Sequence, residues 1–133
     1  MKDTIAEAKR WFKQGLQDLE DAKFLLVGER YNTACFLAQQ SAEKILKSYL
    51  IAQDVEKVWG HSTWDLCNEA KTFDKDFAMI ENEARSLEKY YIPTRYPDAL
   101  PGAIPSEAFD DSDANSAISM ASKIMEFIQL KIG

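Results

Sequence analysis

Histidine, cysteine, glycine and proline are all scarce in this sequence. The 133 residues include one histidine, two cysteines, five glycines and four prolines. One histidine and two cysteines are too few for a four-ligand zinc site, and they exclude the paired Glu-x-x-His motifs of di-iron helical bundles. The sequence also lacks a Walker loop, a dinucleotide-binding glycine motif and a His-Glu-x-x-His motif. We therefore expect a protein without a bound metal ion or cofactor.

Long apolar runs and an excess of positive charge are missing as well. No apolar run approaches the roughly 20 residues that a membrane helix needs. The charged N-terminal residues lack the apolar stretch of a secretory signal, so we expect a cytoplasmic protein with no membrane association. The net charge is −6, which argues against a broad nucleic-acid-binding surface. Cys35 and Cys67 fall on apolar helical faces, where we expect reduced, buried thiols.

Apolar residues recur at helical spacing along most of the chain. The first helix has a regular apolar seam, in which Gly15 predicts a close approach of another helix. The five predicted helices span about residues 3–27, 32–53, 62–71, 74–90 and 110–131. No strand pattern or internal repeat is present. We expect an all-α fold, namely a single domain over residues 1–133 that forms an antiparallel up-and-down four-helix bundle with one additional short helix.

The second predicted helix has apolar residues on both sides. Its core stripe consists of Ala34, Cys35, Ala38, Ala42, Ile45 and Tyr49. Further apolar residues lie on the other side, at Phe36, Leu37, Leu50 and Ile51. Such a helix is either central in its bundle or buries one side against a partner chain.

The fourth predicted helix leads into a proline-rich loop. Its apolar seam is predicted to be Phe73, Phe77, Ile80, Ala84, Leu87 and Tyr91. All four prolines lie between Pro93 and Pro105, so we expect no regular helix over residues 92–109. A connection of this length in a small domain is often functional.

Two polar features stand out against this helical background. The first is a stripe on the second helix that holds Gln40, Glu43, Lys44 and Lys47 at positions i, i+3, i+4 and i+7. The stripe is either a solvated face with a local Glu43–Lys47 ion pair, or the floor of a pocket or interface. The apolar residues that flank it favour the second alternative.

The second feature is Arg95, which has a proline two residues before it and another two residues after it. A rigid arginine suits a bidentate grip on a carboxylate or phosphate, and Tyr90, Tyr91 and Tyr96 offer stacking surfaces. Alternatively, Arg95 fixes the loop by pairing with Asp98 or with a helix carboxylate.

The single histidine, His61, lies in the segment Trp59 to Ser62, which interrupts the helical pattern. A histidine at the start of a helix is either a capping or packing residue or a general base, and the sequence nearby offers it no nucleophile.

Four segments of this chain are recognisable together. They are Trp11 with Asp18-Leu19 and Ala22, the stretch 31–47, Gly60-His61 with Leu66, and Arg95-Tyr96-Pro97-Asp98. In order and spacing they resemble the HEPN domain family (higher eukaryotes and prokaryotes nucleotide-binding) over nearly the whole chain. The resemblance implies a stand-alone prokaryotic member that forms a helical, commonly homodimeric bundle. It also implies nucleotide binding and a minimal nucleotidyltransferase as partner.

Many members of that family are metal-independent ribonucleases of toxin–antitoxin or defence systems. The resemblance implies that their activity needs an arginine followed four to six residues later by a histidine. Here, the residues four to six positions after Arg95 are Ala99, Leu100 and Pro101, none of which is histidine, and those five to seven positions before His61 are Asp54, Val55 and Glu56, none of which is arginine. The ribonuclease motif is therefore absent from the sequence.

The leading interpretation is a non-catalytic HEPN binding module for a nucleotide or a nucleotidyltransferase partner. The candidate binding residues are Arg95, Tyr96, Asp98, Gln40, Glu43, Lys44, Lys47 and His61. One alternative is a ribonuclease in which Arg95 and His61 meet through space. Another is a structural dimerisation protein whose polar stripe sets the dimer register.

Overall fold

The computed structural model describes residues 3–56, 58 and 60–132, and all regular structure in these ranges is helical. Trp59, which the sequence placed in the break before the third helix, lies outside them. The α-helices are α1 (Thr4–Val27), α2 (Tyr31–Ala52), α3 (Thr63–Lys71), α4 (Glu81–Leu87), α5 (Pro105–Ala108) and α6 (Asp111–Ile132). The predicted all-α class is confirmed.

Helix α2 is the centre of the bundle. It packs against α1, α3 and α6, and its predicted core stripe is buried as expected. Leu50, predicted on the opposite face, is also fully buried. The side chains of Glu43 and Lys47 are more than nine-tenths buried. The burial of these two charged residues contradicts the interpretation of their stripe as a solvated face.

The predicted fourth helix is not one regular helix. A 3-10 segment (Lys75–Ile80) precedes α4, and a second one (Glu88–Tyr90) follows it. Because a 3-10 helix has three residues per turn, the residue below Leu87 is Tyr90 rather than Tyr91. Tyr90 is accordingly buried and Tyr91 is only half-buried, which corrects the predicted seam.

Other details of the prediction also differ from the structure. Ile5, the first apolar residue of the predicted seam of α1, is 53% exposed, because it lies next to the start of that helix. Phe73, expected in the seam of the fourth helix, is 48% exposed, because it lies in the turn between α3 and the 3-10 segment. The proline loop was expected to contain no regular helix, but it forms a 3-10 turn at Pro97–Ala99 and the single turn of α5. Both begin with a proline, whose fixed φ angle suits the first position of a helix. The cysteines are free and buried, as predicted.

Candidate functional site

The segment that carries Arg95 is a tight turn anchored to the bundle. Residues 92–95 close through a hydrogen bond of 3.0 Å from the Arg95 amide to the Ile92 carbonyl, with Pro93 in the position that turns favour. Thr94 is buried, and its hydroxyl donates to the Tyr90 carbonyl. Asn32 of α2 donates to the Thr94 carbonyl over 3.0 Å. These contacts fix the backbone of the turn that carries Arg95.

The guanidinium of Arg95 lies over aromatic rings and not against a carboxylate. Its central carbon is 4.3 Å from the ring centroid of Phe36, 4.6 Å from that of Tyr91 and 5.0 Å from that of Tyr96. Its Nε donates to the Tyr91 carbonyl over 3.0 Å. Among the described residues Arg95 forms no ion pair, with Asp98 or any other carboxylate, so the predicted loop-fixing pair is absent from them.

His61 is held at the start of α3 by contacts on several sides. Gly60 precedes it with φ of +84°, a conformation that glycine adopts without strain. Gln39 donates a hydrogen bond of 3.0 Å to the His61 carbonyl. The next residue, Ser62, caps α3 by accepting from the Asp65 amide, and its hydroxyl donates to Glu88. His61 itself stays 57% exposed.

The ring of His61 lies between a buried carboxylate and an aromatic ring. Its Nδ1 is 2.6 Å from Glu43 Oε1, and its plane stacks on Tyr91 at 5.0 Å with an angle of 15°. Since Tyr91 also contacts Arg95, the structure joins Glu43, His61, Tyr91 and Arg95 in one continuous line. We call this set, together with Phe36 and Tyr96, the Arg95 cluster.

Four other predicted site residues do not join Arg95. Lys44 forms an ion pair of 2.5 Å with Asp18 of α1, and Gln40 donates to Gln39. Lys47 lies 4.0 Å from Glu43 Oε2, at the end of the line away from His61. Asp98 is exposed on the 3-10 turn within the proline loop.

Sequence reasoning did not place Phe36 in the site, because it assigned that residue only to an apolar face. Tyr91 was named as one of three stacking surfaces near Arg95 but was also assigned to a core seam, and its contact with His61 was not predicted. The available signal was the spacing of Tyr91 and Arg95, four residues apart, which allows a side chain to cover the preceding turn.

The Arg95 cluster combines a cation, aromatic faces and an imidazole held by a carboxylate. Such a set can hold an anion beside a flat ring and can accept or donate a proton at His61 Nε2. No group of three or more His, Cys, Asp or Glu side chains within the described ranges is arranged to hold a metal ion. Among those same residues, no helix is both long and apolar enough to cross a membrane.

The chain is similar in sequence and structure to several known proteins. A protein of Methanocaldococcus jannaschii named "Putative toxin MJ1304" is 28% identical over 134 residues, which covers 94% of this chain and 88% of that protein. The crystal structure of TT1696 from Thermus thermophilus superposes with a TM-score of 0.81 at 36% identity and covers 93% of this chain and 97% of that one.

Two further similarities bear the family name. ST0689, an archaeal HEPN homologue, has a TM-score of 0.79 at 36% identity, with all of both chains covered. The family model of the HEPN domain matches residues 8–131. By fold and by sequence, this chain belongs to the HEPN domain family.

Proposed function

We propose that this protein is a HEPN binding module that holds the phosphate of a nucleotide at Arg95. The observation that carries the proposal is the environment of the Arg95 guanidinium. It stacks on the rings of Phe36 and Tyr91 and donates from Nε to a carbonyl, but it faces no carboxylate among the described residues. Its remaining N–H groups suit a bidentate contact with phosphate. The rigid turn lowers the entropy lost on binding.

The base of the nucleotide can stack on Tyr96, which belongs to the same cluster. Tyr96 is 49% exposed, and its ring lies beside the Arg95 guanidinium. Stacking of a base on an aromatic side chain contributes about 1–3 kcal/mol and tolerates any base. Because its net charge is −6, we expect the protein to bind one or a few nucleotides at a local site and not to bind nucleic acid over a broad surface.

Thermal unfolding against a panel of nucleoside mono-, di- and triphosphates tests the proposal. A ligand that binds only the native state stabilises it by RT ln(1 + [L]/Kd), about 2.7 kcal/mol at 100-fold saturation. We expect a nucleotide to raise the unfolding temperature of the wild type, and Arg95→Ala to abolish the rise.

Arg85→Ala is the matched control. Arg85 is also exposed and also lies 4.3 Å over an aromatic ring, that of Trp64, but outside the Arg95 cluster. Its replacement should leave the nucleotide-induced rise intact. No rise with any nucleotide, or an equal rise in wild type and Arg95→Ala, contradicts a nucleotide site at Arg95.

A second candidate function, metal-independent cleavage of RNA, is favoured by the contact of His61 with Glu43. With the Nδ1 hydrogen donated to Glu43, Nε2 can accept the proton of a ribose 2′-hydroxyl. The 2′-oxygen then attacks the adjacent phosphorus, and the bond to the 5′-oxygen breaks as that oxygen takes up a proton from solvent, to which His61 returns the proton that it accepted. Arg95 holds the phosphate. The toxin name of the relative from M. jannaschii agrees with this activity.

Cleavage of a fluorescent single-stranded RNA in EDTA tests the second candidate. We expect His61→Ala to lower the rate by about 10²–10⁴-fold, the usual contribution of a general base, and Glu43→Gln to lower it as well. His61→Ala should keep the nucleotide-induced stabilisation, which separates cleavage from binding. Equal cleavage by wild type and His61→Ala contradicts a catalytic role for His61.

The proposal also includes a homodimer and a minimal nucleotidyltransferase as partner, as the family resemblance implies. Exposed apolar side chains near the end of α1 support an interface, since Phe24 is 69% and Val27 85% exposed. Light scattering after gel filtration should give the mass of two chains, and Phe24→Glu with Val27→Glu should give the mass of one if that end of α1 forms the interface. A monomeric wild type contradicts the homodimer.

A further inference from the structure

Helix α2 holds the two loops of the Arg95 cluster with two side-chain amides. Asn32 donates a hydrogen bond to the Thr94 carbonyl and Gln39 donates one to the His61 carbonyl, each over 3.0 Å. The two amides are seven residues apart, which is almost two full turns, so they lie on one face of the helix and about 10 Å apart along its axis. This face of α2 is therefore a common support for two loops that are distant in sequence.

One turn further along α2 from each amide, a second residue contacts the side chain that the loop presents. Phe36, four residues after the first amide, lies with its ring centroid 4.3 Å from the Arg95 guanidinium carbon. Glu43, four residues after the second, lies with Oε1 2.6 Å from His61 Nδ1. Residues four apart are neighbours on a helix surface. Each loop is thus held twice by α2, once at its backbone and once at its functional side chain.

Gln40 orients the amide that holds His61. The Gln39 side chain is fully buried, and its Oε1 accepts a hydrogen bond of 2.8 Å from Gln40 Nε2. With that oxygen engaged, the amide nitrogen of Gln39 points at the His61 carbonyl. A reversed Gln39 amide would face the carbonyl with its oxygen, and the hydrogen bond to His61 would be lost. Gln40 therefore acts on His61 through Gln39.

We propose that Asn32, Gln39 and Gln40 are positioning residues of the Arg95 cluster. Through the backbones of the two loops they set the separation between the Arg95 guanidinium and the His61 imidazole before a ligand arrives. Asn32 acts on the Arg95 side, whereas Gln39 and Gln40 act on the His61 side. The proposal rests on the function proposed for the cluster, because a fixed separation matters for a ligand that must reach both groups.

Nitrogen-15 NMR of the ligand-free protein tests the proposal without a nucleotide or RNA. His61 is the single histidine of the chain, so its imidazole nitrogens need no assignment. The Arg95 Nε–H group, which donates to the Tyr91 carbonyl, is identified by the loss of its signal in Arg95→Ala. We expect Asn32→Leu to shift the Arg95 signal and Gln39→Met to shift the His61 signals, because each change removes an amide donor and keeps a side chain of similar size.

Asn115→Leu is the matched control. Asn115 also donates to a backbone carbonyl, that of Asp111 over 2.9 Å, but on α6 and outside the Arg95 cluster. Its replacement should leave the Arg95 and His61 signals in place. Cooperative thermal unfolding shows which variants fold. If Gln39→Met does not, Gln40→Met, on a half-buried residue, should shift the His61 signals while the fold is kept.

The unfolding assay with nucleotides separates this proposal from the one on which it rests. Asn32→Leu should weaken nucleotide binding by about 3- to 10-fold, the contribution of roughly one hydrogen bond, and Gln39→Met should leave it nearly unchanged. A wild type that binds no nucleotide contradicts the nucleotide site at Arg95, and the NMR signals then decide the positioning roles by themselves. A signal that stays unchanged in its own folded variant, or equal shifts in Asn115→Leu, overturns the proposal.

Discussion

Gly15 marks the closest approach of α1 to α2. A Cβ atom added there would lie 2.4 Å from Ile45 Cγ1 and 3.1 Å from the Ser41 carbonyl oxygen. That carbonyl is part of a helix and cannot rotate away. The Gly15 carbonyl in turn accepts a hydrogen bond of 2.7 Å from the Ser41 hydroxyl. Steric exclusion therefore requires glycine at position 15.

Gly15→Ala should therefore destabilise the protein by about 1–2 kcal/mol. Overpacking costs roughly 1–3 kcal/mol, which exceeds the gain of up to about 1 kcal/mol in helix propensity. Urea unfolding measures the difference. In an Ile45→Ala background the same change should cost less, because the obstructing side chain is gone and only the close contact with the Ser41 carbonyl remains.

Gly28→Ala serves as the control for that experiment. Its added Cβ would meet nothing closer than 3.7 Å, and its φ of −81° suits any residue, so stability should change little. Equal effects at the two glycines would contradict the close-packing argument. The apolar seam predicted the approach at Gly15, but the atoms that it contacts were visible only in the fold.

At the scale of elements, the end of α6 is held to the 3-10 segment before α4 by an ion-pair cluster. Lys131 Nζ lies 2.8 Å from Asp74 Oδ2 and 3.0 Å from Asp76 Oδ2, and Asp74 also accepts from the Asp76 amide. The Lys131 hydrogen bond, and then that amide, hold the pKa of Asp74 below its usual value. The two aspartates raise the pKa of Lys131.

The sign of the pH dependence follows from these directions. The Asp74 contribution is present above its unfolded pKa of 3.8 and is lost as the pH falls through the lower folded value. The Lys131 contribution is complete below 10.5 and is lost as the pH rises through the higher folded value. Asp74→Asn should therefore lower the urea midpoint at pH 7 and have almost no effect near pH 2. Asp98→Asn, on an exposed residue outside the ion-pair cluster, should leave the urea midpoint unchanged at both pH values. An effect of Asp74→Asn that persists at pH 2 would contradict the ion-pair explanation.

The same region shows where helical periodicity stops being predictive. A spacing of 3 and 4 residues fits a continuous helix from 74 to 90, but the chain there is 3-10, α and 3-10 in turn. The two forms differ by less than one residue per turn, which is too little to change the apolar pattern until its end. As a result, Tyr90 occupies the buried position of the seam that the pattern had assigned to Tyr91, and Tyr91 is only half-buried. That exchange places Tyr91 in the candidate site.

At the scale of the molecule, the candidate site needs three separate stretches of chain. Residues 36–43 of α2, residues 60–62 before α3 and the turn at 91–96 each carried a recognisable feature in the sequence. What the sequence did not give was their contact through Tyr91, because stacking of His61 and Arg95 on one ring depends on the packing of α3 and the loop. Residue types, helix faces and the local Glu43–Lys47 pair were predictable, whereas the pairing of Lys44 with Asp18 of α1 was not.

The core of the whole molecule also contains acids that remain protonated in the folded state. Burial raises the pKa of Cys35 to about 12 and that of Cys67 to about 11, from 9.0, and raises the pKa of Tyr90 to about 12, from 10.0. These groups belong to one apolar cluster that includes α2, α3, α4 and α6. In the unfolded chain the thiols lose their protons near pH 9, while in the folded protein they keep them.

Stability should therefore fall as the pH rises above about 9, because the unfolded state then binds fewer protons than the native state. Each thiol can contribute a slope of up to about 1.4 kcal/mol per pH unit between its two pKa values. Urea midpoints at pH 8, 9.5 and 10.5 measure the fall. A Cys35→Ala, Cys67→Ala double variant should show a shallower decline, with the remainder due to Tyr90. An equally steep decline in both proteins would mean that the buried thiols are not what makes the core sensitive to alkali.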